Sequence, residues 1–282
     1  MVKKIAFCFL IYDIINHEEL WNIFLKNIDS HKYSIYIHYK INTPLKYFDK
    51  YKLNNCIETA WGDISLVRAQ NLLLQAGIND NITNFIFLSN SCIPLKSFDI
   101  VYESIDISYS YFNLFPQEDC FPYCNFLLES IDKRYIHKAH QWCILTRKHA
   151  DILCNSNIEC FNNKIICPDE YCYITLIHLF HLENEIKVTF HSPTEATTFT
   201  NWLNMNYKYN YSNENLGTYN PTTQYNLRNE KLYNGYSNYG LKNYNYISEE
   251  EILYLVNQKC LFGRKFNLHV NLLYQKYLDK LF

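Results

Sequence analysis

The spacing of hydrophobic positions in this chain changes period from one stretch to the next, and each change predicts an element. Ile5–Leu10 is an unbroken apolar run, short enough for a strand buried on both faces. His17–Asn27 switches to helical spacing, with Leu20, Ile23 and Phe24 on one face. Asn16 stands where an N-cap belongs, and Glu19 completes a capping box. Tyr33–Tyr39 alternates β-branched and aromatic residues and predicts a strand. Ile64–Leu74 is helical and opened by Asp63; Asn84–Leu88 is a buried strand with Ser89–Pro94 as the loop behind it; Phe98–Ser104 is a short helix. Farther on come a strand at Gln141–Leu145, helices at Arg147–Cys154 and Asp169–Phe180, and a strand at Glu185–His191. A Tyr/Asn-rich stretch, about Leu203–Tyr246, lacks periodicity and reads as a long loop or insertion. Helical patterning returns at Ser248–Glu251 and again over Asn267–Leu281.

Strand and helix in alternation predict an α/β fold, a mostly parallel sheet flanked by helices, in one domain over 1–282. Ligands of such sheets lie beyond the carboxyl ends of the strands. That rule puts the segments after Leu10, Tyr39 and Leu88 around one cleft.

Composition narrows the function. Hydrophobic residues are 48% and aromatics 17%, enough for a sizeable core. The net charge of −2 and the short basic runs Lys3-Lys4, Arg147-Lys148 and Arg264-Lys265 argue against nucleic acid as a partner, which calls for a clustered basic surface. The 11 cysteines are odd in number, and none sits in Cys-x-x-Cys spacing with histidines behind it. They read as reduced, buried thiols rather than a zinc site. The amino-terminal apolar run is too short for a signal peptide or a membrane span, which take a longer apolar stretch. The expected location is therefore the cytoplasm, or peripheral attachment to a membrane.

Common catalytic signatures are missing. The chain has six glycines and no glycine-rich phosphate loop, no Gly-x-Ser-x-Gly, no His-Glu-x-x-His and no Asp-x-Asp. Three strings carry chemistry instead. Pro168-Asp169-Glu170 opens a helix: acids suit a helix start in any case, but Glu170 there is also placed to be a general base. Arg264-Lys265 between aromatics is either a solvated helix end or a pair of fixed cations for a leaving diphosphate. Gln141-Trp142 is either core or a sugar platform. His38, His137 and His140 have no ligand spacing.

Taken in order, these strings resemble the Core-2/I-branching β-N-acetylglucosaminyltransferase family, with its plant and microbial relatives and the distantly similar peptide O-xylosyltransferases. The resemblance runs through Lys4–Leu10, Tyr33–His38, Trp61-Gly62-Asp63-Ile64-Ser65-Leu66 and Phe87–Pro94. It continues through Lys138-Ala139-His140-Gln141-Trp142, Pro168-Asp169-Glu170-Tyr171 and Ala196–Trp202, and closes on Phe262-Gly263-Arg264-Lys265-Phe266. It implies a GT-A-like, Rossmann-type fold and an inverting transfer from a UDP-sugar, most simply UDP-N-acetylglucosamine, to a glycan or glycoprotein hydroxyl, with no metal or other cofactor. Glu170 falls on the catalytic base and Lys265 on a diphosphate-binding lysine, with Arg264 or Lys242 as the second cation. Tyr12, Asp13, His38 and Ser91 fall on the nucleotide side, and Gln141, Trp142, Asp169 and Trp202 on the acceptor side. Two departures stand out: Lys40 replaces an aspartate of the animal members, and Leu203–Tyr246 contains no string that is placed in the resemblance. Xylose is the alternative donor sugar. A non-catalytic binding relative and a cysteine-dependent hydrolase are the readings from other classes.

Overall fold

The computed structural model describes residues 2–116, 120, 124–162, 165, 167–190, 192, 194–201 and 243–282. Its centre is a six-stranded sheet in the order β2-β1-β3-β6-β5-β7. The strands are β1 (Ile5–Ile11), β2 (Tyr33–Tyr39), β3 (Asn84–Ser89), β5 (Ser110–Leu114), β6 (Ile144–Thr146) and β7 (Ile186–Phe190). β1 runs parallel to β2 and β3, and β5 parallel to β7. β6 lies between β3 and β5 and opposes both, so five of the six strands share a direction. The α/β expectation is borne out.

β1 is apolar throughout because both its faces are covered. Ile5, Phe7, Phe9 and Ile11 face a cluster with Trp21 and Phe24 of α1 (Glu18–Phe24) and Phe98 and Val101 of α3 (Phe98–Ser104). Ala6, Cys8 and Leu10 face the opposite cluster, built from α2 (Ser65–Ile78), α4 (Arg147–Cys154) and α5 (Cys172–Leu179). The register pairs Leu10 with both His38 and Ser89, so the ends of the first three strands lie together as expected.

A second sheet has the order β4-β9-β8: β4 (Ile93–Pro94), β9 (Phe262–Arg264) and β8 (Thr198–Thr200). Tyr244, Ile247 and Phe266 pack there with α6 (Glu249–Val256) and α7 (Gln275–Leu278). Phe262 joins it to the main core, stacked 6.0 Å from Trp21.

Several sequence expectations are corrected. Asn16 is not the cap of α1; His17 occupies that position, and the Asn16 side chain bonds other segments. Glu19 likewise forms no capping box. Its neighbour Glu18 instead accepts from the backbone N–H groups of Lys46, Tyr47 and Phe48. α2 runs one turn beyond Leu74, with Gly77 in that turn because Phe85 and Tyr36 crowd its Cα. Glu170 sits in a separate 3-10 turn, Pro168–Glu170, rather than in α5. Asn267–Leu281 is helical only over α7; Asn267 N–H is drawn to Tyr244 O at 2.9 Å, and Val270 and Leu272 alternate inward. Strands β4, β5, β8 and β9 were not expected.

Among the described residues no helix is long and apolar enough to cross a membrane. All 11 cysteines are free thiols. Among the described residues no three metal-ligating side chains converge.

Candidate active site

The region beyond the ends of β1 and β3 is bordered on one side by the chain that follows β9. Phe266 N–H donates to Ser91 O at 3.0 Å, which seats Lys265 beside the loop after β3. Asn16, in the loop after β1, joins these pieces. Its backbone N–H donates to Asn90 O at 2.9 Å and its Nδ2 to Phe266 O at 2.8 Å. Its Oδ1 accepts from Asn90 Nδ2 at 3.3 Å. Tyr244 N–H donates to Lys265 O at 2.8 Å from the other side. Arg264 and Lys265, read from sequence as a helix end or a cation pair, are thus fixed at the end of a strand. Burial and the adjacent guanidinium hold the Lys265 ammonium below the ordinary lysine range.

The second wall is the segment after β5. Phe115 N–H donates to Lys138 O, His140 N–H to Asn113 O and Ala139 N–H to Glu170 O, each at 2.8 Å. Those bonds fasten Lys138–Trp142 between the end of β5 and the Pro168–Glu170 turn. Lys138 Nζ lies 3.0 Å from Glu170 Oε2. Trp142 lies under Arg264, whose guanidinium sits 4.6 Å from the ring centroid. That contact links the two walls, and both Asp169 and Glu170 lie close enough to act electrostatically on Arg264.

Three buried polar atoms face this junction without hydrogen-bond partners among the described residues: Asp169 Oδ1, Gln141 Nε2 and Arg264 Nε. Asp169 is half-buried as a residue, but its Oδ1 is shut off from solvent. Desolvation and the Glu170 charge push its carboxyl up to about 7, against the pull of Lys138 and Arg264. Buried polar atoms without partners also occur elsewhere, at His17, His38, Gln70 and Asn84 among others; here an acid, an amide and a guanidinium stand together, a set that polar ligand groups can complete.

The remaining sequence candidates fall at the mouth or behind it. Tyr12 is 54% exposed just past β1, with Lys40 Nζ 5.7 Å from its ring centroid. Asp13 accepts from Ile14 N–H at 2.7 Å. Ser91 is buried, its Oγ 3.1 Å from Ser89 Oγ. His38 is wholly buried at the end of β2, its Nε2 accepting from Ile57 N–H at 2.9 Å. Desolvation lowers it to about 4, so the ring is neutral. The structure thus brings together Gln141, Trp142, Asp169, Glu170, Arg264 and Lys265, with Ser91 behind Lys265. It sets His38 beneath the surface. Lys242 and Trp202 lie outside the described residues. Sequence reasoning missed Lys138 as Glu170's partner, since nothing local marks a lysine 32 positions away. It also passed over Trp61, which is 72% exposed next to Gly62, whose carbonyl accepts from Cys167 N–H at 3.4 Å. The available signal was its place in the Trp61–Leu66 string that carries part of the resemblance.

A family model, described as Core-2/I-Branching enzyme, matches residues 5–219, which is most of the chain. The chain belongs to the Core-2/I-branching enzyme family. It is also similar to a protein of Oryza sativa subsp. japonica named Glycosyltransferase BC10, 27% identical over 159 residues. That alignment takes in 53% of this chain and 40% of the rice protein, so the chain spans under half of that relative. The matched region of this Core-2/I-branching family member contains the loops after β1 and β3 and the Lys138–Trp142 and Pro168–Glu170 wall, and runs on into the first part of the Tyr/Asn-rich stretch. The closing Arg264-Lys265 lies outside it and is tied to it by the Phe266–Ser91 and Arg264–Trp142 contacts.

Proposed function

We propose that the chain is an inverting, metal-independent glycosyltransferase that moves N-acetylglucosamine from UDP-N-acetylglucosamine to a hydroxyl of a glycan or glycoprotein. The observation that carries this reading is the grouping of opposite charges beyond the strand ends. A carboxylate, Glu170, is fixed on one wall, and two adjacent cations, Arg264 and Lys265, are fixed on the other. Among the described residues neither cation forms an ion pair. A nucleoside diphosphate supplies the negative charge that such a pair lacks.

Glu170 removes the proton of the acceptor hydroxyl as that oxygen attacks the anomeric carbon. The new C–O bond forms as the bond from that carbon to the diphosphate oxygen breaks, and the electron pair leaves with the diphosphate. Lys265 and Arg264 stabilise the departing charge, the work a metal ion does in transferases that carry an Asp-x-Asp. Attack opposite the leaving group turns an α-linked donor into a β-linked product. Tyr12, Asp13 and Ser91 border the nucleotide; Gln141, Trp142 and Asp169 border the acceptor.

The test is nucleotide release and sugar transfer from a panel of UDP- and GDP-sugars, with and without EDTA, for the wild type and Glu170→Gln. The expected result is EDTA-resistant turnover with UDP-N-acetylglucosamine, lowered about 10²–10⁴-fold in Glu170→Gln. Turnover that Glu170→Gln leaves intact would remove the base, and turnover abolished by EDTA would remove the role given to the two cations.

A further inference from the structure

Lys138 belongs to no site assigned so far, yet its ammonium is in contact with the Glu170 carboxylate. Its Nζ lies 3.0 Å from Oε2, and the two side chains are only 13% and 16% exposed. The ammonium also sits 4.5 Å from the ring centroid of Phe115 and 5.7 Å from that of Tyr171. A lysine carried this far from water is costly unless a counter-charge compensates it. Among the described residues, Glu170 and two aromatic faces contribute to that compensation. The backbone allows little drift, because Ala139 N–H donates to the carbonyl of Glu170 itself and Phe115 N–H to that of Lys138, both at 2.8 Å.

We infer that Lys138 is a positioning residue that holds Glu170 by Oε2 and presents Oε1 to the acceptor hydroxyl. The inference rests on the reading of Glu170 as the base. A carboxylate has two oxygens and needs one to accept a proton. With Oε2 occupied by the ammonium, Oε1 is the oxygen left for the cleft. The other charged and titratable groups acting on Glu170 do not duplicate this role. Asp169 is a second acid, pushed up by burial. The Cys167 thiol is pushed up to about 12 by burial and, next, by Glu170 itself, so it is neutral. Burial likewise raises the Tyr171 phenol, which donates to Cys120 O at 2.9 Å. Arg264 is committed to the Trp142 face on the opposite wall.

The experiment is the pH dependence of kcat/KM, from about pH 4 to about pH 9. It is measured as nucleotide release from the donor of the panel above that turns over fastest. Wild type, Lys138→Met, Lys138→Arg and Glu170→Gln are compared, each with a thermal melt to confirm folding. Losing an opposite charge this close makes a carboxylate easier to protonate, typically by one unit or more. The acid limb of Lys138→Met therefore moves to higher pH by about one unit, an activity loss of about tenfold on that limb, while Lys138→Arg keeps the wild-type limb. A purely structural lysine would lower activity at every pH and leave the limb in place, and that outcome overturns the inference. If Lys138→Met does not fold, Lys138→Arg decides, since a shifted limb in a variant that retains the cation contradicts the role. Glu170→Gln separates the two readings. Full turnover there, or no turnover of any donor by the wild type, sinks the base and this inference together. Loss of turnover there with an unmoved limb in Lys138→Met sinks this inference alone.

Discussion

Asp169→Asn makes the protein more stable at alkaline pH, and by an amount that the burial of this carboxyl sets. The ordinary value of 3.8 is moved to about 7, chiefly by desolvation, with Glu170 adding to it. At 1.36 kcal/mol for each tenfold, that displacement is about 4 kcal/mol. Lys138 and Arg264 pull the other way, and their pull is already contained in that net displacement. The sign follows from proton counting. Between about pH 4 and about pH 7 the folded state holds a proton that the unfolded state has released, so stability is full below that window and is lost as pH rises through it. Asparagine has nearly the same shape and no ionisation, so it escapes the loss. Urea unfolding, followed by the fluorescence of the four tryptophans, is measured for both proteins at about pH 5 and about pH 8. The stability gap in favour of the variant widens by about 2–3 kcal/mol between those conditions. Parallel pH dependence in the two proteins would refute the reasoning and mean that Asp169 is solvated, with its unpartnered Oδ1 satisfied by water.

Two further predictions concern packing and the cleft. Gly77→Ala lowers the melting temperature although alanine is the better helix former: the new Cβ would stand 2.5 Å from Phe85 Cε1 and 3.0 Å from Tyr36 Cε2, and overpacking of this kind costs about 1–3 kcal/mol. A melt equal to or above wild type would show that the Phe85 ring yields. Asn16→Ala releases the bonds from its side chain to Phe266 and Asn90 and so loosens Lys265. Donor KM rises about tenfold, equivalent to about 1.4 kcal/mol, with kcat changed less; an unchanged KM would show that Lys265 is placed without the Asn16 link.

The parts of this protein legible in its sequence are those in which local pattern and tertiary environment agree. β1, β2, α3 and α4 lie within a residue of where periodicity puts them, because each is long enough to repeat its period and has its apolar positions covered as that period implies. The Pro-Asp-Glu turn and the Arg-Lys pair were likewise visible as chemistry. Their meeting was not. Glu170 and Arg264 are brought to one cleft by β4, β8 and β9, strands of two or three residues that are too short to carry a period and are defined by partners far away in the chain. β5 was missed for a related reason: its place in the sheet depends on pairing with β6 and β7. The Asn267–Leu281 pattern looked helical, yet the Asn267 N–H bonds Tyr244 and Leu273 N–H bonds the Asn271 side chain, which together hold that stretch off the helix. The sequence by itself determined the alternation of strand and helix, the end of the sheet where a ligand belongs, and the residue types able to act there. Only the tertiary structure decided that Lys138 meets Glu170, that Asp169 Oδ1 is shut from water and that Arg264 crosses onto Trp142, because distances between remote residues and the loss of solvent around them are properties of packing, not of any local run of amino acids.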